Sequence, residues 1–408
     1  MTDSDKLFLT LLSKAIRGGS FDRIDSDADW GQIFELAKEH DVSALLYSAI
    51  EKSDIQLPDE IADKWKKHTM FSAIRQAKLY YDVEEAIKLL TDAGIEVIAV
   101  KGLYFRFLYP DPVLRSMADA DILIHRKDFT DAVRILNGGG YINGTYNENV
   151  TSFVRKPFCH IELHTNLIFE HEFKYAATFI KPWENAVSDE SISGYARILS
   201  LEDCFIYAVV HIAKHLNHKG HGVRQLCDLV LFVEKNMDRI DWINISNRLK
   251  EIELKNLTDI LLSLCHKYLD MSVPPVWLYD NPDVEKISDV LIVFLLKCGV
   301  FGYREGKNTK VYELRQTKKN LVIKSNYLST LIYILQQFFP PFIAMKGTYN
   351  YLKKYPFLLL FAWVSRIGKY IRNRRKYSMQ IKEIVSSTKD IDGEAQLLNT
   401  LGLSEIFK

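Results

Sequence analysis

Cysteine is scarce. Five residues, Cys159, Cys204, Cys227, Cys265 and Cys298, stand apart with no paired spacing. That excludes a disulfide scaffold and a zinc ribbon, and it fits a reducing, cytoplasmic setting. Glycine and proline are also few, 19 and 11 of 408 residues, so collagen-like, low-complexity and disordered classes fall away. No apolar run reaches the roughly eighteen residues that a membrane span needs. The opening MTDSDKLF carries acids where a secretory leader needs basic residues, so export is not expected. What is present is a hydrophobic share of 48% and a charged share of 26%, the balance of a globular chain with ample core. Acids nearly vanish from residues 301–380, where sixteen Lys/Arg face only Glu305 and Glu313. Because the net charge is +1, the remainder is acidic. A uniform nucleic-acid coat is therefore excluded, and an acidic body with a basic C-terminal region is expected.

Apolar periodicity divides the chain into four regions. Residues 1–90 read as helices, with repeats around Leu7 to Ile16, Trp30 to Ala37 and Leu45 to Ile50, and a long run after Pro58. At Gly94 the pattern changes. Residues 95–100 form a short β-branched run, read as a buried strand closed by Lys101-Gly102. A short helix is expected at 103–109, ended by Pro110-Asp111-Pro112, then a strand at 118–125. A helix at 128–137 stops at three glycines, and 151–155 with 158–166 form a hairpin across Lys156-Pro157. These make an α/β core at 91–195. Helices at 201–215, 223–235, 242–250, 257–269 and 284–297 fill a region at 196–300. Residues 303–326 read as a basic loop or exposed hairpin. Within 301–408, apolar runs at 327–335 and 357–364 alternate with Lys/Arg clusters, in a mostly helical region. The expected fold class is α+β.

The chemistry concentrates at Val100-Lys101-Gly102, Arg115, Ala118-Asp119-Ala120-Asp121-Ile122-Leu123-Ile124 and His160-Ile161-Glu162-Leu163-His164. Alternate residues of a strand share a face. Asp119 and Asp121 then point one way, and Ala118, Ala120, Ile122 and Ile124 point into the core. Glu162 is outward between Ile161 and Leu163, with His164 on its face. If the two strands are neighbours, three acids converge. Adjacent carboxylates repel unless a cation sits between them, and such oxygen-rich sites suit Mg²⁺ with substrate phosphates. A lone Asp-x-Asp pair also fits a solvated strand edge. Asp is disfavoured in strands, however, and two beside a glycine turn favour a site. Lys101 and Arg115 supply positive charge, either toward phosphate or as a solvated lysine and a structural ion pair.

In this order the residues resemble the nucleotidyltransferase superfamily with the DNA polymerase β-like minimal fold. Within it they are most similar to the bacterial uncharacterised nucleotidyltransferase family, with its KG turn, R…DxD strand and ELH strand. Glu39-His40-Asp41-Val42 with Leu45-Leu46 resembles that family's leader motif. His211 to His215 and Arg224 to Asp228 resemble its histidine-bearing and R…D helices, so the resemblance covers about residues 30–300. It implies a small mixed-sheet minimal nucleotidyltransferase core flanked by N-terminal and C-terminal helical regions. It also implies a transfer assisted by two Mg²⁺ ions, with NMP passing from an NTP, ATP first, and pyrophosphate leaving after in-line attack at the α-phosphate. Asp119, Asp121 and Glu162 would be the catalytic and metal-binding residues, Glu162 completing the site or helping to deprotonate the acceptor. Lys101, Gly102, Arg115 and His164 would hold the nucleotide, Gly102 letting backbone N–H groups approach phosphate. Two departures stand out. Lys101-Gly102 replaces the superfamily's Gly-Gly or Gly-Ser turn, and sixteen residues separate Gly102 from Asp119.

Other residues carry rival readings. His211 and His215, at i and i+4 with His218 and His221 beyond, have the spacing of a zinc pair that His164 could join, but the helix lacks a metalloprotease Glu between them. They then border the nucleotide or acceptor site, or serve helix packing. Arg224 and Asp228 read as an i,i+4 ion pair. Residues 355–377 read either as a membrane-surface segment or as a buried helix followed by an exposed basic one. The acceptor is left open among a small molecule, a sugar phosphate, a lipid headgroup and a protein. Nucleic acid has no reader module behind it. The alternative function is a catalytically idle nucleotide-binding or scaffold protein, placed peripherally at the inner face of a membrane by its basic region. No motif specifies oligomeric state.

Overall fold

The structure, a computed structural model, describes residues 1–21, 28–146, 150–189, 196–218, 220–277, 282–299, 326–342, 349–373 and 390–407, with a few positions between. The basic segment expected as a loop at 303–325 lies outside them. The chain divides into two compact units, Met1–Gly302 with Leu401–Lys408, and Tyr303–Thr400.

The first unit opens with four helices: α1 (Asp3–Ala15), α2 (Trp30–Glu39), α3 (Ser43–Ile50) and α4 (Asp59–Asp92). Local chemistry sets their starts. Thr2 and Asp5 form a reciprocal capping box at α1, and Asp29 accepts from the Gln32 N–H at α2. With 34 residues α4 is about 51 Å long, and it buries Leu79, Val83, Ala86, Ile87 and Leu90. Gly94, at φ +79°, turns the chain out of it into the sheet.

Among the described residues seven strands follow: β1 (Val97–Ala99), β2 (Ala120–Ile124), β3 (Ile142–Tyr146), β4 (Val150–Arg155), β5 (Cys159–His164), β6 (Val187–Ser188) and β7 (Arg197–Ile198). Their order is β3-β4-β5-β2-β1-β7-β6. The central strand β2 runs antiparallel to β1 and parallel to β5. Every residue of β2 is buried, as a strand covered on both faces should be. An aspartate in that setting needs compensation. Helices complete the unit: α5 (Gly102–Phe105), α6 (Phe129–Gly138), α7 (Pro182–Asn185), α8 (Leu201–His218), α9 (Arg224–Lys235), α10 (Trp242–Glu251), α11 (Lys255–Leu269) and α12 (Pro282–Cys298). The last residues of the chain return here, where Lys174 N–H donates to Ile406 O at 3.0 Å and Phe407 stacks on Phe173 at 4.9 Å.

The α+β class is as expected. The helix expected at 103–109 is α5 followed by a 3-10 turn, Arg106–Leu108. Strands β3, β6 and β7 are additions to the expected set. β6 and β7 have two residues each, too short for alternation to register. β3 is a polar edge strand with Ile142 exposed.

The second unit contains α13 (Asn326–Phe338), α14 (Leu359–Arg372) and α15 (Asp390–Thr400). Its small core is Met345, Leu352 and Ala362, packed by Phe342, Leu358, Leu359 and Trp363. The reading of 357–364 as part of a buried helix is corrected. Ala362 is the one buried residue of α14, because so small a core covers one side of the helix and leaves Phe357, Leu360, Phe361 and Val364 exposed.

Candidate active site

Register creates the site. Parallel pairing of β2 with β5 sets Asp121 opposite Glu162, and neighbouring strands lie only about 4.8 Å apart. Their carboxylates therefore leave one face side by side. Asp119 precedes Asp121 by two residues and joins the same face. Ligand atoms of Asp119, His160 and Glu162 lie within 4.8 Å of one another, as do those of Asp121, Glu162 and His164. The structure thus brings Asp119, Asp121, Glu162 and His164 together. It adds His160, which lies in the same stretch of sequence, at i−2 from Glu162, but carries no assigned role there.

A lysine and a histidine answer the buried charge. Lys101 Nζ lies 2.9 Å from Asp121 Oδ1, and His164 Nε2 donates to the same oxygen at 2.9 Å. His164 Nε2 also lies 3.4 Å from Glu162 Oε2. Burial alone would raise Asp121, but the Lys101 ammonium and the His164 hydrogen bond hold it well below the carboxylate range. Glu162 is held low by its hydrogen bond from His164 against burial. Burial lowers His164, and its bonds to both carboxylates outweigh that and raise it. Asp119 is the exception. Burial and the neighbouring Asp121 and Glu162 raise its carboxyl, and among the described residues no ion pair reaches it. Lys101 and His160 offset that only in part and from a distance.

Lys101 occupies a backbone position suited to glycine, φ +52° and ψ −119°. A side chain there costs about 1–3 kcal/mol. The departure from a Gly-first turn therefore places an ammonium against Asp121 at the cost of local strain. We expect Lys101→Gly to be more stable than Lys101→Ala by about 1 kcal/mol, the reverse of the usual order, because both lose the ammonium and only Ala keeps the strain. Urea midpoints of the two variants check this. Equal midpoints would show the strain to be immaterial.

Gly102 is needed for packing. A Cβ on it would lie 2.3 Å from Arg115 Nη1 and 2.6 Å from Met117 Sδ. Met117 is clamped in turn by Gln76 of α4, which accepts its N–H at 2.9 Å and donates to its O at 3.0 Å. Arg115 grips Asp228 of α9 through Nε at 3.1 Å and Nη2 at 2.7 Å, and Tyr109 Oη donates to Asp228 at 2.8 Å. The expected Arg224–Asp228 pair is therefore corrected. Asp228 belongs to Arg115, and Arg224 pairs with Asp41, just past α2. Beside it, His40 Nδ1 accepts from Val223 N–H at 3.3 Å. The leader motif and the R…D helix, far apart in sequence, meet here. Tertiary clamps have replaced the local pair that spacing suggested.

A cavity of about 860 Å³ opens on Lys101, Asp119, Asp121, Glu162 and His164, and its walls include Tyr207, His211, Lys214 and His215 of α8. His211 and His215 lie 3.0 Å apart at Nε2, and among the described residues no third potential ligand completes them as a metal site. Burial pushes His211 well down, His215 to about 3 and nearby His221 to about 4, with neighbouring Lys101 and Lys214 adding to the first two. Histidines kept neutral in the fold are protonated first in the unfolded chain, whose ordinary value is about 6.5. Stability is then complete above about pH 6.5 and is lost as the pH falls toward 4, by up to about 1.4 kcal/mol per unit per histidine. A melting temperature flat above pH 7 and dropping steeply from 6.5 to 5 is expected, with a shallower drop for His221→Gln. No change between pH 7 and 5 would contradict the burial of these rings.

A family described as an uncharacterised nucleotidyltransferase matches residues 26–270, more than half of the chain. The chain belongs to that family, and membership supports a nucleotidyltransferase function. No curated protein and no solved structure matches it. All of Lys101, Gly102, Arg115, the Asp119–Asp121 pair and Glu162 with His164 fall inside the matched residues.

Proposed function

We propose that this chain transfers a nucleotidyl group from an NTP, with ATP the first donor to test, to a hydroxyl or phosphate acceptor. The observation that carries the proposal is the convergence of Asp119, Asp121 and Glu162 on one cavity wall, two of them facing each other across a parallel strand pair. The donor set fits Mg²⁺. Its atoms are chiefly hard carboxylate oxygens, and the mutual repulsion that raises Asp119 beside Asp121 and Glu162 is what a cation would relieve. Asp119, Asp121 and Glu162 would hold the metal, with Glu162 common to both groups. Bound there, Mg²⁺ would polarise phosphoryl oxygens and stabilise charge on the attacking and leaving oxygens.

The chain's own residues do the remaining work. Lys101 keeps positive charge beside Asp121, where incoming phosphate adds negative charge. His164 ties Asp121 to Glu162 through one N–H and fixes their separation. In this reading Glu162, less buried than Asp121, takes the acceptor's proton. The acceptor oxygen bonds the α-phosphorus as the bond to the pyrophosphate oxygen breaks. Arg115, committed to Asp228, acts as a positioning residue behind the Lys101-Gly102 turn.

One observation favours the second reading, an idle nucleotide-binding or scaffold protein: Lys101 and His164 already compensate Asp121 without any metal. Calorimetric titration of the four NTPs, with Mg²⁺ and with EDTA, separates the two. Metal-dependent binding that disappears in Asp119→Ala/Asp121→Ala supports transfer. Binding that ignores metal and mutation alike supports the idle reading.

A further inference from the structure

We propose that the second unit carries a docking surface for an anionic lipid bilayer, centred on the outward face of α14. At 100° per residue, Phe357, Leu360, Phe361, Val364 and Ile371 fall within an arc of about 100° on one side of this helix and the turn before it. All five are between 66% and 75% exposed. The opposite side is occupied: Ala362 is buried, Trp363 Nε1 donates to Pro340 O at 2.9 Å, and Arg366 Nε donates to Gln337 O at 2.9 Å. The helix is therefore anchored through one face and presents a continuous apolar stripe on the other. An exposed stripe of large apolar residues marks an interaction site.

Charge identifies the occupant. Between Glu313 and Glu383 the chain has no acid at all and fourteen Lys/Arg. Exposed Lys369 and Arg372 border the stripe itself, and Arg374, Arg375 and Lys376 follow in sequence. A protein partner with an apolar groove would cover the stripe but would give no reason for so long a segment to exclude acids. A nucleic acid would use the cations but leave Phe361 and Leu360 in water. A bilayer surface takes both, the ring and aliphatic side chains entering at the headgroup boundary and the cations meeting anionic lipid. No described helix is long and apolar enough to cross a membrane, so the contact is one of lying on the surface. This inference does not depend on the chemistry proposed for the first unit.

The test is co-sedimentation of the full chain with vesicles of phosphatidylcholine alone and with about 30 mol % phosphatidylglycerol. The wild type is expected to pellet with the anionic vesicles and to be released by high salt. Phe361→Ser/Val364→Ser and Lys369→Gln/Arg372→Gln change exposed residues, and a circular dichroism melt confirms that they fold. Each is expected to weaken binding about tenfold or more. A wild type that stays in the supernatant, or variants that pellet equally well, would overturn the proposal. Binding to a DNA duplex in place of vesicles would assign the cations to nucleic acid and also overturn it. A stripe variant that changes only the molecular mass in solution would assign the face to self-association, with the same consequence.

Discussion

Asp121→Asn is expected to remove metal-dependent NTP binding and to lower pyrophosphate release from the NTP by about 100-fold or more. Asp121 is the carboxylate on which the site converges, since one of its oxygens meets both Lys101 and His164. An amide keeps the shape but cannot balance the Lys101 ammonium or bind a metal as a carboxylate does. Lys101 is pushed up by Asp121 against the effect of its own burial, so without that partner a charged group stays in a poorly solvated place. Breaking one side of a buried pair costs about 3–5 kcal/mol. Loss of activity could then reflect unfolding, and a second variant separates the two. Lys101→Met/Asp121→Asn removes both partners and is expected to regain much of the stability while staying inactive. A folded Asp121→Asn protein with wild-type pyrophosphate release would sink the assignment of this site.

Much of this site was legible in the sequence because strands have period two. Asp119, Asp121, Glu162 and His164 share a face by alternation, and the hairpin at Lys156-Pro157 could be placed from its turn residues. What alternation cannot supply is which strands are neighbours. The pairing of β2 with β5 is a long-range choice, and it is this pairing that sets Asp121 beside Glu162. The partners of Arg115 and Arg224 were hidden for a related reason. Helical spacing offers a local partner at i+4, whereas Asp228 and Asp41 are supplied by packing between elements distant in sequence. The role of Lys101 was half legible. Its charge was plain from its position before a glycine, but its left-handed backbone follows from a turn geometry that no propensity for lysine predicts. In α14 the apolar run was visible, and the size of the core available to cover it was not.

Asp228→Ala is expected to lower the unfolding free energy by about 3–5 kcal/mol, the second large effect, and to disturb nucleotide binding without touching a carboxylate of the site. Both side chains of the Arg115–Asp228 pair are only 7% exposed, and their bond is bidentate. Arginine cannot shed its proton, so the deletion leaves a buried guanidinium and an orphaned Tyr109 hydroxyl. Arg224→Ala, which breaks a more exposed pair with Asp41, should cost far less, about 1 kcal/mol. Urea denaturation of the two variants makes the comparison, and equal losses would refute the ranking. The functional consequence follows from Gly102. With Arg115 Nη1 filling the space a Cβ would need, the guanidinium supports the Lys101-Gly102 turn from behind. Releasing it frees that turn to shift, and Lys101 with it. In Asp228→Asn, which keeps the shape, the NTP Kd is therefore expected to rise while the Mg²⁺ requirement persists. Gly102→Ala should do the same by pushing Arg115 or Met117 aside. Matching defects in two variants on opposite sides of the guanidinium would identify Arg115 as the link between α9 and the Lys101-Gly102 turn. Unchanged affinity in a folded Asp228→Asn protein would reduce the pair to a structural clamp.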